Sequence, residues 1–180
     1  MSALQTTGGI LGLLLLYAVF LVACEDKIIF HPHKFPQGIW NPSSFNLKVE
    51  DVFFQAKDGT QLHGWYIPSA NARATLLWFH GNAGNLTHRL DNIQRLKDLH
   101  LNIFIFDYRG YGKSEGTPTP KGTILDGKAA LRWADQKAKS LGIPLVVFGQ
   151  SLGGAIALRS VSETKNELHF DLVVADSSFL

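Results

Sequence analysis

Leu145-Val-Val-Phe-Gly149-Gln-Ser151-Leu-Gly153-Gly-Ala-Ile-Ala-Leu158 carries the signature that decides the fold, a G-x-S-x-G between two apolar stretches. The first stretch, 145–148, is short and continuous, as in a strand buried on both faces. The second, from Leu152 to about Ser160, is apolar nearly all round at its start, as in a buried helix. A serine between them occupies a tight turn with positive φ, and side chains two residues away on either side would collide as strand and helix approach. Gly149 and Gly153 relieve that clash. The turn lifts the Ser151 hydroxyl above the sheet edge and leaves the Leu152 amide at the positive end of a helix, where a developing oxyanion is stabilised. Ser151 is therefore the candidate nucleophile, Leu152 a candidate oxyanion donor, and Gly149 and Gly153 the elbow glycines.

Outward from this motif, further short apolar runs at 75–79, 103–106 and 172–174 alternate with helical patterns. Leu86, Leu90, Ile93, Leu96 and Leu99 recur every three or four residues. Thr123-Ile-Leu-Asp126 resembles a capping box ahead of Ala129 and Trp133. Strands alternating with helices predict an α/β fold, a mostly parallel sheet with helices on both faces. The opening differs: 49–56 and 61–67 are extended runs joined by Lys57-Asp58-Gly59-Thr60, whose Asp-Gly pair suits a hairpin.

The 180 residues are enough for one domain with a sizeable core. A net charge of +2 with scattered histidines gives no basic face for nucleic acid. One cysteine, Cys24, excludes an intrachain disulfide, and without a Cys or His cluster a structural zinc site is not expected. No cofactor is called for.

No charged side chain occurs from Met1 to Cys24, and 10–23 is almost wholly apolar. Residues 1–24 read as a membrane anchor or a signal segment; a buried core helix fits less well, since the run meets Glu25-Asp26-Lys27 without an amphipathic pattern. Leu21-Val-Ala-Cys24 also resembles a lipobox, which would make Cys24 a lipidated first residue, although no Lys or Arg precedes the apolar core. Lys27 and Lys34 on the domain side point to a cytoplasmic domain, whereas the habit of the family that the chain resembles, named below, points outward, so the membrane face stays open. Three prolines within 31–42 make 25–45 a linker, and the domain is expected over 46–180.

Together these stretches resemble the α/β-hydrolase superfamily. His80-Gly-Asn82-Ala83-Gly-Asn85, directly after the 75–79 strand, is similar to the family's H-G loop; the resemblance implies a second oxyanion amide from Asn82, or else Ala83. Asp107-Tyr-Arg-Gly-Tyr-Gly-Lys-Ser-Glu-Gly116 and Ile29-Phe-His-Pro32 resemble a membrane-anchored subgroup, in which the first of these is architectural. The implied roles are loop fixing for Asp107 and Arg109, and equally for His80. Gly112-Lys-Ser114 is no phosphate loop, because Asp stands at 107 where that motif requires glycine.

In this family the triad acid and histidine follow the serine. Asp176, at the end of the 172–174 strand, is the candidate acid. His169 is the one histidine after Ser151, and it precedes that strand, at the far end of a parallel sheet. The catalytic histidine and the C-terminal strands are therefore expected beyond Leu180, and the chain as given is expected to be inactive. The resemblance implies a serine hydrolase that acts on ester, thioester or amide bonds of a small-molecule or acyl substrate through an acyl-Ser151 intermediate. The alternative is a membrane-tethered module that binds without catalysis.

Overall fold

The computed structural model describes residues 25–178 together with Ile10, Leu13, Leu16, Tyr17 and Phe20. Among the described residues no helix is long and apolar enough to cross a membrane. Cys24 and most of the expected anchor lie outside the described residues.

Among the described residues six strands form one sheet: β1 (Glu50–Gln55), β2 (Gln61–Ile67), β3 (Ala74–Phe79), β4 (Leu101–Asp107), β5 (Leu145–Gln150) and β6 (Leu172–Asp176). Their spatial order is β1-β2-β4-β3-β5-β6. The first two pairings are antiparallel and the remaining three parallel. The opening hairpin turns where Gly59, at φ +86°, donates its N–H to the Ala56 carbonyl. Left-handed φ is cheap only for glycine, so Asp-Gly was an informative signal.

Period-two alternation divides the strand side chains between two cores. Tyr66, Leu77, Phe79, Phe104, Phe106 and Val147 face one side, and Trp65, Ile67, Leu76, Trp78, Ile103 and Ile105 the other. Each such side chain taken fully out of water contributes roughly 1.5–3 kcal/mol. Helices α3 (Pro120–Leu141) and α4 (Leu152–Thr164) cover the first face through Ala130, Ala134, Ala138, Ile156 and Ala157. Small residues let these helices approach the sheet closely. The second face is covered by α2 (Leu90–Leu96), by the short 3-10 turn Leu86–Arg89 before it, and by the partly buried Trp40 and Phe45.

Two expectations need correction. The Thr123…Asp126 pattern is not the start of α3. That helix begins at Pro120, with Thr119 as N-cap accepting from the Gly122 N–H. Thr123 lies within the first turns, its hydroxyl donating to the Thr119 carbonyl, and Asp126 faces the interior. Nor is 86–99 one continuous helix. A 3-10 turn precedes α2 and another, Lys97–Leu99, follows it, so Leu99 is exposed and His100 takes a left-handed φ of 52°.

The segment before the domain starts with helix α1 (Glu25–Ile29). Phe30 is buried in the first core, and the chain then crosses the strand ends through bridges Pro32 to Gly84 and Lys34 to Gly112. Among the described residues strand β6 pairs with β5 only and stands at the sheet edge, where Leu172 and Val174 are exposed.

Candidate active site

Ser151 sits between β5 and α4 with φ 52° and ψ −123°, the strained turn that its flanking sequence predicts. A Cβ on Gly149 would stand 2.5 Å from the Gly154 Cα, which is the strand-against-helix collision expected. Gly153 is tighter still, for a different reason. A Cβ there would lie 2.2 Å from the Phe79 carbonyl oxygen and 2.5 Å from that of His80. Its obstacle is the end of neighbouring β3, so the second glycine lets α4 pack on the backbone that leads into the 80–85 loop.

That loop lies against the elbow: a Cβ added at Gly81 would be 3.7 Å from the Ser151 Cβ and 3.6 Å from the Gln150 carbonyl. The structure thus places Gly81, next to Asn82 and Ala83, beside Ser151. His80 is fully buried. Its Nδ1 bonds the Gly81 carbonyl at 2.7 Å, its Nε2 lies 3.3 Å from Asp107 Oδ1, and its ring packs on Tyr108 and Tyr111. The Tyr108 hydroxyl donates to the His80 carbonyl, and burial pushes that phenol well above its ordinary pKa. Arg89 donates to the carbonyls of Ala83 at 3.0 Å and Gly81 at 3.5 Å. Its burial lowers the guanidinium pKa, against which those carbonyls supply the hydrogen bonds. With both carbonyls engaged, the loop's peptide units are held in one orientation.

Asp107 and Arg109 fix loops. Asp107 Oδ1 accepts the Leu86 N–H at 2.8 Å, and a Cβ on Gly112, at φ +48°, would overlap Asp107 Oδ2. Arg109 grips Asp126 through its Nε and Nη2 atoms and Asp58 through Nη1, tying the turn after β4 to α3 and to the hairpin. Burial opposes the charge of Arg109, but the hydrogen bonds it donates to Asp126 and Asp58 outweigh it and raise its pKa. The same contact with Arg109 holds Asp58 down at about 2, whereas burial leaves Asp126 above its ordinary value. The sequence shows Asp126 and Asp58 as a capping and a turn residue, and their pairing with Arg109 is visible only in the structure.

Asp176 ends β6 opposite Gln150 in the parallel register, and its carboxylate accepts from the Ser177 hydroxyl. With Trp78, Arg95, Phe148 and Gln150 it lines a cleft of about 250 Å³. A larger cavity, about 490 Å³, is lined by Leu47, Ile67, Ile93 and His100 at the opposite strand ends, away from Ser151. His169 is exposed beside Asp171, which bonds Leu145 at the start of β5. It therefore lies a strand length from Ser151. Among the described residues no group of three His, Cys, Asp or Glu side chains could hold a metal ion.

A family model described as serine aminopeptidase, S33 matches residues 70–179. The chain is 39% identical over 146 residues to the uncharacterized protein YfhR of Salmonella typhimurium, covering 74% of this chain and 50% of that protein. It is 37% identical over 155 residues to the alpha/beta hydrolase domain-containing protein WAV2 of Arabidopsis thaliana, covering 81% and 49%. Among solved structures, the Pyrococcus furiosus esterase Pf2001 superposes with a TM-score of 0.68 at 30% identity, covering 83% of this chain and 57% of that one. The chain spans about half the length of the curated relatives it matches.

Proposed function

Because the chain belongs to the serine aminopeptidase S33 family of α/β-hydrolases, we propose that it carries the nucleophile half of a serine hydrolase that cleaves ester, thioester or amide bonds of a small acyl substrate. The observation that carries this reading is Ser151 itself, held at φ 52° on the turn between a buried strand and a helix. A non-glycine residue keeps such a conformation only where its surroundings enforce it, and such strain gathers at functional sites. In this reading the Ser151 Oγ attacks the substrate carbonyl and forms an acyl-Ser151 intermediate. The amides of Leu152 and of Asn82 or Ala83 hold the oxyanion.

Asp176 is assigned as the triad acid. Neither histidine discussed above fits the base: His80 is fully buried with its Nδ1 bonded to the Gly81 carbonyl and its ring against Asp107, and His169 is at the far strand ends. Since the matched relatives are about twice as long as the aligned region, the base is assigned to the part of the protein beyond this chain. The apolar 1–24 segment is proposed to tether the domain to a membrane.

The test is labelling of the full-length protein with a serine-directed fluorophosphonate. The expected result is one adduct at Ser151, absent from Ser151→Ala; labelling that survives the substitution overturns the assignment.

A further inference from the structure

We infer that residues 31–39, which read in the sequence as a linker, are a positioning element for the loop that supplies the second oxyanion amide. The inference rests on the serine hydrolase reading above. The loop is poorly determined by its own chemistry. Gly81 and Gly84 bracket Asn82 and Ala83, and Gly84 has φ +88°, so the backbone there is cheap to rearrange. His80 and Arg89 hold its Gly81 and Ala83 carbonyls, and the hold on Asn82, Gly84 and Asn85 comes from the arm.

The Asn82 side chain is fixed at one atom, Oδ1, which accepts the His31 N–H at 3.0 Å and the Tyr111 hydroxyl at 3.0 Å. Two residues on, Gly84 donates its N–H to the His31 carbonyl and accepts from the His33 N–H, a two-sided backbone clasp. The Asn85 amide group donates to the carbonyls of His33 and Gln37, and the Ile39 N–H donates to the Thr87 hydroxyl. On its other side the arm is pinned to the turn after β4. The Gly112 N–H donates to the His33 carbonyl, and the Phe35 N–H to that of Gly112. The arm therefore joins the 80–85 loop to the 108–112 turn, with Tyr111 bonded to Asn82 from the turn side.

An arm that only filled space would bury side chains. Phe30 does so, but from 31 to 39 the contacts are largely polar and directed at the loop backbone and at Asn82. Directed hydrogen bonds set geometry, and an oxyanion donor works only when its N–H is aimed within a narrow range of distance. The carbonyls of Gly81 and Ala83 are taken by His80 and Arg89 from beneath, so the arm supplies the complementary hold from above.

The experiment uses the full-length protein with two variants, His31→Pro, which deletes the donor to Asn82, and Tyr111→Phe, which deletes the other with little change of shape. Steady-state hydrolysis of a short p-nitrophenyl ester, fluorophosphonate labelling rate and affinity for an arylboronic acid are compared with affinity for the product alcohol. The expected result is a fall in kcat and in labelling rate of about tenfold in each variant, weaker boronate binding, and KM and alcohol affinity within twofold, since only the tetrahedral species uses the loop amide. Wild-type kcat and labelling rates in both variants overturn the inference. If His31→Pro does not fold, Tyr111→Phe decides alone. Failure of the wild type to label at Ser151 refutes the hydrolase reading instead, so the two failures are distinct.

Discussion

The backbone N–H of Ser151 donates to the backbone carbonyl of Asp176 at 2.8 Å. The candidate nucleophile is thereby tied to the end of β6 without use of the Asp176 side chain. Replacing that side chain thus tests the carboxylate and spares the tie. If Asp176 is the triad acid of the full-length enzyme, Asp176→Ala lowers kcat by about a thousandfold or more while the fold and slow fluorophosphonate labelling persist. Steady-state ester hydrolysis beside circular dichroism checks this; activity within a few-fold of wild type removes Asp176 from the mechanism.

The strain at Ser151 can be measured directly. Its φ of 52° with ψ −123° lies where an L-residue is disfavoured by about 1–3 kcal/mol and glycine is not. Ser151→Gly is expected to raise the unfolding free energy by about 1 kcal/mol relative to Ser151→Ala, even after glycine's larger unfolded-state entropy is subtracted. Chemical denaturation of the two variants decides it. Equal stability, or a less stable glycine variant, contradicts a strained elbow. Gly153→Ala works in the opposite direction, since its Cβ would meet two backbone carbonyls, and a well-folded alanine variant would contradict that packing.

The elbow was readable because its motif falls within five residues and both neighbours announce themselves by continuous apolar runs, although the reason for Gly153, the carbonyls of Phe79 and His80, lies in a distant strand. The same holds for the hairpin, where Gly59 meets its turn partners within four residues. Contacts between distant segments were not legible. The arm at 31–39 has no periodicity, and its meaning lies in partners near 82–87 and 112, some fifty or more residues away. The start of α3 was misread because Thr123 and Asp126 satisfy the local capping pattern as well as Thr119 and Pro120 do. Only Arg109, which claims Asp126 for a buried ion pair, separates the two readings. The 1–24 segment shows its apolar character in the sequence, but most of it, including Cys24, lies outside the described residues.

Arg109 offers a stability test with an internal contrast. Its partner Asp126 is fully buried, while Asp58 is exposed. Removing Asp126 leaves the buried side of the Arg109 guanidinium unpaired, with only the exposed Asp58 at its outer end, which costs about 3–5 kcal/mol. Asp58→Ala breaks a pair open to solvent and is expected to cost under about 1 kcal/mol. Urea unfolding of Asp126→Ala and Asp58→Ala checks the ranking, and similar losses at both sites refute the division of labour.

The pH response should come from His63. This residue is buried in β2, and its Nε2 meets Asp51 Oδ1 at 2.5 Å. Lys113 and the Trp65 indole N–H reach the same Asp51 oxygen. The ring packs on Trp40 and Phe53, and among the described residues Nδ1 has no hydrogen-bond partner. Burial lowers the His63 pKa below its ordinary 6.5, with Lys113 acting the same way and Asp51 and Asp107 opposing. Burial also lowers that of His88. The unfolded chain therefore binds more protons than the folded one as pH drops through 6.5. Stability must fall in that direction, by at most about 1.4 kcal/mol per pH unit for each such histidine. Asp51 does not contribute in this window. Burial alone would raise its carboxyl, but bonds from His63 and Lys113 hold it below 3.8, so its contribution is lost only in stronger acid. Thermal melts between pH 7.5 and 5.5 should show a falling midpoint, and His63→Gln should flatten the slope. A midpoint that stays level or rises on acidification would show that His63 is not held neutral by burial.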